Sequence, residues 1–145
     1  MTAEIILGGF LFLLSLEDIK RQEISFLCLG VTAGIGLIML IFQTFAGWPD
    51  LLFRLVPGAA LLLFAVLSRG KVGTGDGMVF LAIGLYCSFE YVIGLMTGAF
   101  LAALVVALIL FAIRKKQKTD TFPFVPCIFL IHMIGLVSHM ISQAG

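Results

Sequence analysis

Charged residues are scarce in this sequence. Only 12% of its residues are charged, against about a quarter in a typical soluble domain. A chain so poor in charge cannot present a water-exposed surface of ordinary composition. A mean hydropathy of +1.20 and a hydrophobic content of 61% indicate an integral membrane protein instead.

Other scarcities exclude further classes of protein. The net charge is only +1, and no basic patch suggests a nucleic-acid partner. Cys28, Cys87 and Cys127 are widely separated and show neither CxxC nor Cys/His spacing, so we expect no disulfide and no metal site. The sequence contains no low-complexity linker, and we expect a single membrane domain over residues 1–145. Its first residues lack a positive n-region and a cleavage site, and should remain as the first helix.

Six apolar stretches follow one another along the chain. They cover residues 5–16, 26–46, 51–68, 78–89, 91–113 and 124–141. A helix that crosses the hydrocarbon core needs about 20 residues. The first and fourth stretches are shorter, but helix can continue through residues 1–4 and 17–18 and over residues 75–91. The sequence therefore predicts an all-α polytopic membrane protein, a bundle of six transmembrane helices.

The basic residues are not spread evenly over the connections. Those after the first, third and fifth stretches are Lys20, Arg21, Arg69, Lys71, Arg114, Lys115, Lys116 and Lys118. By the positive-inside rule these three connections face the cytoplasm, and both termini lie outside. The fourth stretch must then cross the membrane, because a re-entrant segment would put the cluster at 114–118 on the wrong side. The remaining cation, Arg54, follows Asp50 by four residues and is expected to pair with it.

Two aspartates lie where this topology makes them neighbours. Asp18 follows the first stretch, and Asp76 ends the motif GTGD just before the fourth, so both are expected at the cytoplasmic face. Ionisable groups near membrane depth are costly and suggest function. Two close carboxylates do not both ionise easily, so one holds a proton while the other acts as a base. This is aspartic protease chemistry, which needs no metal or organic cofactor. Gly73, Gly75 and Gly77 would let an extended substrate approach closely.

Simpler interpretations of the same residues remain open. Asp76 can be an N-cap of the fourth helix, and Asp18 a solvated residue in a charged loop. The protein can also be a non-catalytic membrane scaffold or assembly factor that keeps the fold. A third possibility is a small transporter that uses the two aspartates as a proton or cation site. Their position at span ends, rather than at the bilayer midplane, argues against the transporter.

Three motifs in order resemble the prepilin and preflagellin peptidases. They are Asp18 followed by Lys20 and Ile24, GTGD at 73–76 opening an apolar helix, and PFVP at 123–126 opening the last stretch. The resemblance covers almost the whole chain. It implies a GxGD aspartic peptidase with Asp18 and Asp76 as the catalytic pair. Its substrate would be a type IV pilin-like precursor, whose leader it would remove at the cytoplasmic face of the inner membrane.

The chain departs from that family in places. Many members have Ile-Pro-Asn where this sequence has Ile24-Ser25-Phe26, and a lysine where it has Met78. Neither change removes a carboxylate, but both bear on substrate preference and activity. Bifunctional members carry an N-terminal methyltransferase region, whereas four residues precede the first apolar stretch here. We therefore expect cleavage without N-methylation.

Glu17 and Glu23 flank Asp18 in the first basic connection. The precursor implied by the resemblance has a short basic leader, which these carboxylates would attract weakly. Alternatively, both only balance Lys20 and Arg21.

Two features of the last stretch also carry predictions. His132 and His139 are seven residues apart and share one helix face, where we expect interhelical hydrogen bonds rather than metal ligation. Pro123 and Pro126 should mark the start of the helix, because a first turn tolerates proline.

Overall fold

The architecture comes from a computed structural model that describes residues 2–21, 25–42, 47–68, 73–114 and 123–144. Over these ranges the chain forms six α-helices and no strand, which confirms the all-α class. They are α1 (Thr2–Arg21), α2 (Phe26–Phe42), α3 (Trp48–Leu67), α4 (Thr74–Gly84), α5 (Phe89–Arg114) and α6 (Val125–Ala144). Much of the three basic connections falls outside the described residues.

Three of the helices are long and apolar enough to cross a membrane. The qualifying segments are Trp48–Leu67, Phe89–Ile109 and Val125–Ser142. Large apolar side chains project from these helices, for example Leu63 at 60% exposure and Leu101 at 59%. Apolar surface on this scale would not be stable in water and indicates contact with lipid. The coarser expectation of a helical membrane protein is therefore supported, while the six-span bundle stays a prediction.

The two short stretches have different outcomes. The first lengthens as predicted, because α1 includes residues 2–4 and 17–21. The fourth does not, and the expected helix over 75–91 is wrong. Helix α4 has 11 residues and ends at Gly84, so it spans only about half of the hydrocarbon core. Residues 85–87 form a buried turn before α5. The apolar character of residues 85–87 therefore reflects their burial and does not indicate a helix.

Helix α4 packs closely on α3 through glycines. A Cβ on Gly77 would lie 2.8 Å from the Cα of Leu62, and one on Gly58 would collide with the backbone of Leu81. Such distances leave no room for any side chain, so the two backbones touch. Gly58 and Pro57 are both buried. Both residues lie within a continuous helix, and Gly58 is on the face that receives α4.

Helix α1 packs antiparallel to α6 along a single buried stripe. Leu7, Leu11 and Leu14 are at most 1% exposed, and Asp18 continues the same spacing at 8%. Positions three and four residues apart share one face of a helix. The face of α1 that enters the core thus ends on a carboxylate.

A buried histidine ties three helices together. Nε2 of His132 lies 3.0 Å from the carbonyl oxygen of Glu4 in α1, and Nδ1 lies 2.9 Å from the Tyr91 hydroxyl in α5. A carbonyl only accepts, so Nε2 carries the proton, and in the neutral ring the tyrosine donates to Nδ1. The predicted interhelical hydrogen bonds are confirmed for His132. His139, in contrast, is exposed.

The predicted pairing of Arg54 is also confirmed. Its guanidinium lies 2.6 Å from the carboxylate of Asp50, one turn earlier in α3.

Candidate functional site

Three helix ends converge on Asp18. It lies in the last turn of α1, and it meets the start of α6 because these helices run in opposite directions. Its charge also acts on Asp76 at the start of α4. The two aspartates are therefore at the same end of the bundle, as the topology required. The membrane face to which this end belongs stays a prediction.

The Asp18 carboxylate is held by backbone of α6. The N–H of Val125 donates to its Oδ2 at 3.0 Å, across 107 residues of sequence. Sequence reasoning gave PFVP a structural role only, as the marker of a helix start. That marker is confirmed, since α6 begins at Val125. The hydrogen bond from Val125 to Asp18 was not predicted, because a backbone N–H is present in almost every residue type and so gives no signal in the sequence.

An aromatic cluster fixes the start of α6 next to α4. The ring of Phe124 lies 6.4 Å from that of Phe80 in α4 and 5.1 Å from that of Phe100 in α5. Phe80 follows Asp76 by one turn of the same helix. Phe124, the residue just before α6, thus packs on α4 next to the two carboxylates.

Asp76 is the third residue of α4 and is partly buried. The N-cap position belongs to Gly73, which has no side-chain cap. The alternative interpretation of Asp76 as an N-cap is therefore wrong. A Cβ on Gly73 would lie 3.0 Å from Oδ2 of Asp76. Gly73 thus leaves the space beside this carboxylate open.

Burial acts on both carboxyl groups, which lie beyond the apolar stretches of their helices, and repulsion by Asp18 acts on Asp76. Burial raises the pKa of Asp18, while the backbone N–H groups of Val125 and Phe124 oppose that rise. Burial also raises the pKa of Asp76, and the negative charge of Asp18 raises it further. A pair in which one carboxyl retains a proton near neutral pH can act as acid and base together.

The other predicted site residues have mixed outcomes. Gly75 lies in the first turn of α4, while the missing side chain of Gly77 serves the contact with α3 rather than access for a substrate. Glu17 is partly buried, and within the described residues its Oε2 has no hydrogen-bond partner although it is shielded from solvent. Glu23 lies outside the described residues. Met78 packs against the core.

Comparisons with known proteins give one match. Searches of curated proteins and of solved structures found nothing significantly similar. The sequence profile of the type IV leader peptidase family matches residues 5–113, which include both aspartates and exclude α6. A match over most of the chain establishes membership. The protein therefore belongs to the type IV leader peptidase family.

Proposed function

We propose that this protein is an aspartic endopeptidase that removes the leader of type IV pilin-like precursors. The observation that carries the proposal is the pair formed by Asp18 and Asp76 at one end of the bundle, where the charge of one acts on the other. The family match supports a leader peptidase in general. The aspartic mechanism and the pilin-like substrate are the further steps of the proposal.

The reaction is an addition of water followed by cleavage of the peptide bond. The ionised aspartate accepts a proton from a water molecule as the water oxygen attacks the scissile carbonyl carbon. The protonated aspartate gives its proton to the carbonyl oxygen, which yields a tetrahedral diol. The first aspartate then donates its newly gained proton to the amide nitrogen, and the C–N bond breaks. A diol hydroxyl returns a proton to the second aspartate, so both groups regain their starting states.

The location follows from the charge pattern. The last turns of α1 and α5 and the connections after α1, α3 and α5 together carry eight of the nine basic residues, which favours the cytoplasm for that side. Asp18 and Asp76 lie at the ends of α1 and α4 next to these connections. We therefore place the site at the cytoplasmic face of the inner membrane, with both termini outside and six crossings of the bilayer, the fourth of which α4 completes together with the turn at residues 85–87. The precursor and the lipid bilayer are the partners that this arrangement requires.

Substitution of each aspartate tests the function. The enzyme is expressed with a pilin-like precursor, and leader removal is followed by the shift in mass of the precursor. Asp18→Asn and Asp76→Asn should each lower the cleavage rate by about a thousandfold or more, and the double variant should be hardly worse, because the two groups act as one unit. Amounts in the membrane should be unchanged.

Asp50→Asn is the matched control. It removes a carboxylate that pairs with Arg54 in α3, and cleavage should remain close to that of the unaltered enzyme. Near-normal cleavage by either catalytic variant would reject the mechanism. A protein that never cleaves any precursor, with all aspartates intact, would point to the scaffold role.

A further part of the proposal concerns the leader. Glu17 adjoins Asp18, and its partly buried carboxylate retains an oxygen that no described residue satisfies. A basic leader would supply the missing hydrogen-bond donor and opposite charge. We extend the same role to Glu23 from its place in the sequence.

A further inference from the structure

The first turn of α6 has a defined set of unpaired backbone donors. The initial N–H groups of a helix have no partner within it. Pro126 has no N–H, and those of Cys127 and Ile128 bond to the Phe124 carbonyl at 3.0 and 3.4 Å. Only the N–H groups of Phe124 and Val125 then remain to be satisfied from outside the helix.

The donor of Val125 serves Asp18. Val125 donates to its Oδ2 at 3.0 Å, and the nearby backbone of Phe124 also acts to lower the pKa of this carboxyl. Asp18 itself lies in the last turn of α1, where the helix dipole disfavours a negative charge. The start of α6 provides the opposite environment, with donors and a positive partial charge aimed at the carboxylate.

We propose that the N-terminus of α6 positions Asp18 and holds it ionised, so that Asp18 is the base of the leader-cleavage reaction and Asp76 is the proton donor. This assignment rests on the proposed function. It adds α6, which lies outside the matched residues 5–113, to the catalytic arrangement as a positioning element.

The reverse assignment has one feature in its favour. Asp76 lies in the first turn of α4, where a negative charge is also favoured. However, no hydrogen bond reaches its carboxylate from any residue that the structure describes, whereas Asp18 accepts a hydrogen bond from the N–H of Val125 in α6. Specific charge-assisted hydrogen bonds outweigh the diffuse field of a helix end.

Few other titratable groups surround Asp18 among the described residues. Asp76 faces it from α4 and the thiol of Cys127 from α6. Glu17 and Lys20 are on its own helix, partly buried and exposed respectively. A change confined to the α6 donors therefore leaves these groups in place.

Val125→Pro removes one donor and little else. Proline fits the first turn of a helix and is close to valine in size. Val125→Ala is the matched control, since it truncates the buried side chain but keeps the N–H. The measurement is the pH profile of kcat and kcat/KM for leader cleavage by the full-length enzyme in detergent, for both variants and the unaltered protein.

Val125→Pro should shift only one limb of the pH profile of leader cleavage. Loss of a hydrogen bond to a charged group makes the base harder to ionise, so the acidic limb should move up by about one pH unit. KM should change little, and Val125→Ala should keep the original limbs. A shift of the basic limb instead would make Asp18 the proton donor and overturn the assignment. No shift, or equal shifts in both variants, would overturn the role of α6.

If Val125→Pro does not accumulate in the membrane as folded protein, a second variant tests the role of α6. Pro126→Ala adds an N–H to the same turn at a partly exposed position, so the acidic limb should move down. An unchanged or raised limb would contradict the inference. Failure of the proposed function is separate, because it would appear as cleavage by Asp18→Asn in the same series.

Discussion

Helices α1 and α6 are joined by two polar contacts that differ in kind. In the first, both ring nitrogens of His132 have partners, and the ring is fully buried. In the second, Asp18 is held by α6 while repelled by the second carboxylate, Asp76. The histidine contact is complete and should only stabilise. The aspartate contact is held in an electrostatically unfavourable state, which is a common cost of a reactive site.

The comparison predicts a large loss of stability at the histidine. His132→Leu removes two interhelical hydrogen bonds and leaves the hydroxyl of the partly buried Tyr91 without its partner. The free energy of unfolding in detergent should fall by about 2 kcal/mol, while the leader-cleavage rate per folded molecule stays near normal. His139→Leu, an exposed position on the same helix, is the control and should change neither quantity. Loss of cleavage in folded His132→Leu enzyme would break the distinction between the two contacts.

The aspartate contact should respond in the opposite direction. Asp76→Asn removes the repulsion with Asp18 and should raise the free energy of unfolding at neutral pH by about 1 kcal/mol, the equivalent of roughly one pKa unit, although cleavage is abolished. A lower stability in this variant would show that the carboxylate contributes to folding.

The same contact gives stability a defined pH dependence. The pKa of Asp76 is raised in the folded protein, so the folded state binds the proton more tightly than the unfolded state. The stabilisation is fully present below 3.8, the ordinary pKa of an aspartate, and is lost as the pH rises through the higher folded-state pKa. Unfolding measured between pH 4 and about 8 should show this decline in the unaltered protein and a flatter curve in Asp76→Asn. Equal pH dependence of unfolding in the two proteins would show that Asp76 is not the cause of the decline.

The smallest expected effect concerns the leader. Glu17→Gln should raise the KM for the precursor at low salt severalfold at most, since a partly exposed charge pair contributes about 1 kcal/mol or less. Moderate salt should reduce the difference, and kcat should hardly change. The equivalent change in α3, Asp50→Asn, should leave KM unaltered. Identical KM values for Glu17→Gln and the unaltered enzyme at low salt would leave Glu17 as a balance for nearby cations.

The aspartate site was partly predictable from sequence, because carboxylates beside apolar stretches are costly and therefore conspicuous. The stripe Leu7, Leu11, Leu14 also fixes which way Asp18 faces once α1 is known to be a helix. The hydrogen bond from the start of α6 to Asp18 was not predictable, since it comes from a backbone N–H and joins residues 107 positions apart in the sequence. Only the two prolines of PFVP signalled a helix start.

The fold, like the site, was predictable from the sequence only in part. Apolar stretches predicted five of the helices to within a few residues, and α2 follows its predicted stretch as far as Phe42, while residues 43–46 lie outside the described residues. They misplaced α4, because residues 85–87 are as apolar as a helix but turn instead. The close contacts of Gly58 with Leu81 and of Gly77 with Leu62 were not predictable either, since a chain with sixteen glycines gives no indication of which ones lie at a helix contact.

The glycine contact has a mechanical consequence. Two backbones in direct contact cannot slide or rotate against each other without a clash, so α3 and α4 move as one rigid body that carries Asp76. Asp18 belongs to the other tightly joined pair, α1 and α6. The separation of the two carboxylates therefore depends on how these two pairs of helices are placed relative to each other. Under the proposed function, a displacement of one pair relative to the other on precursor binding would change the distance between Asp18 and Asp76.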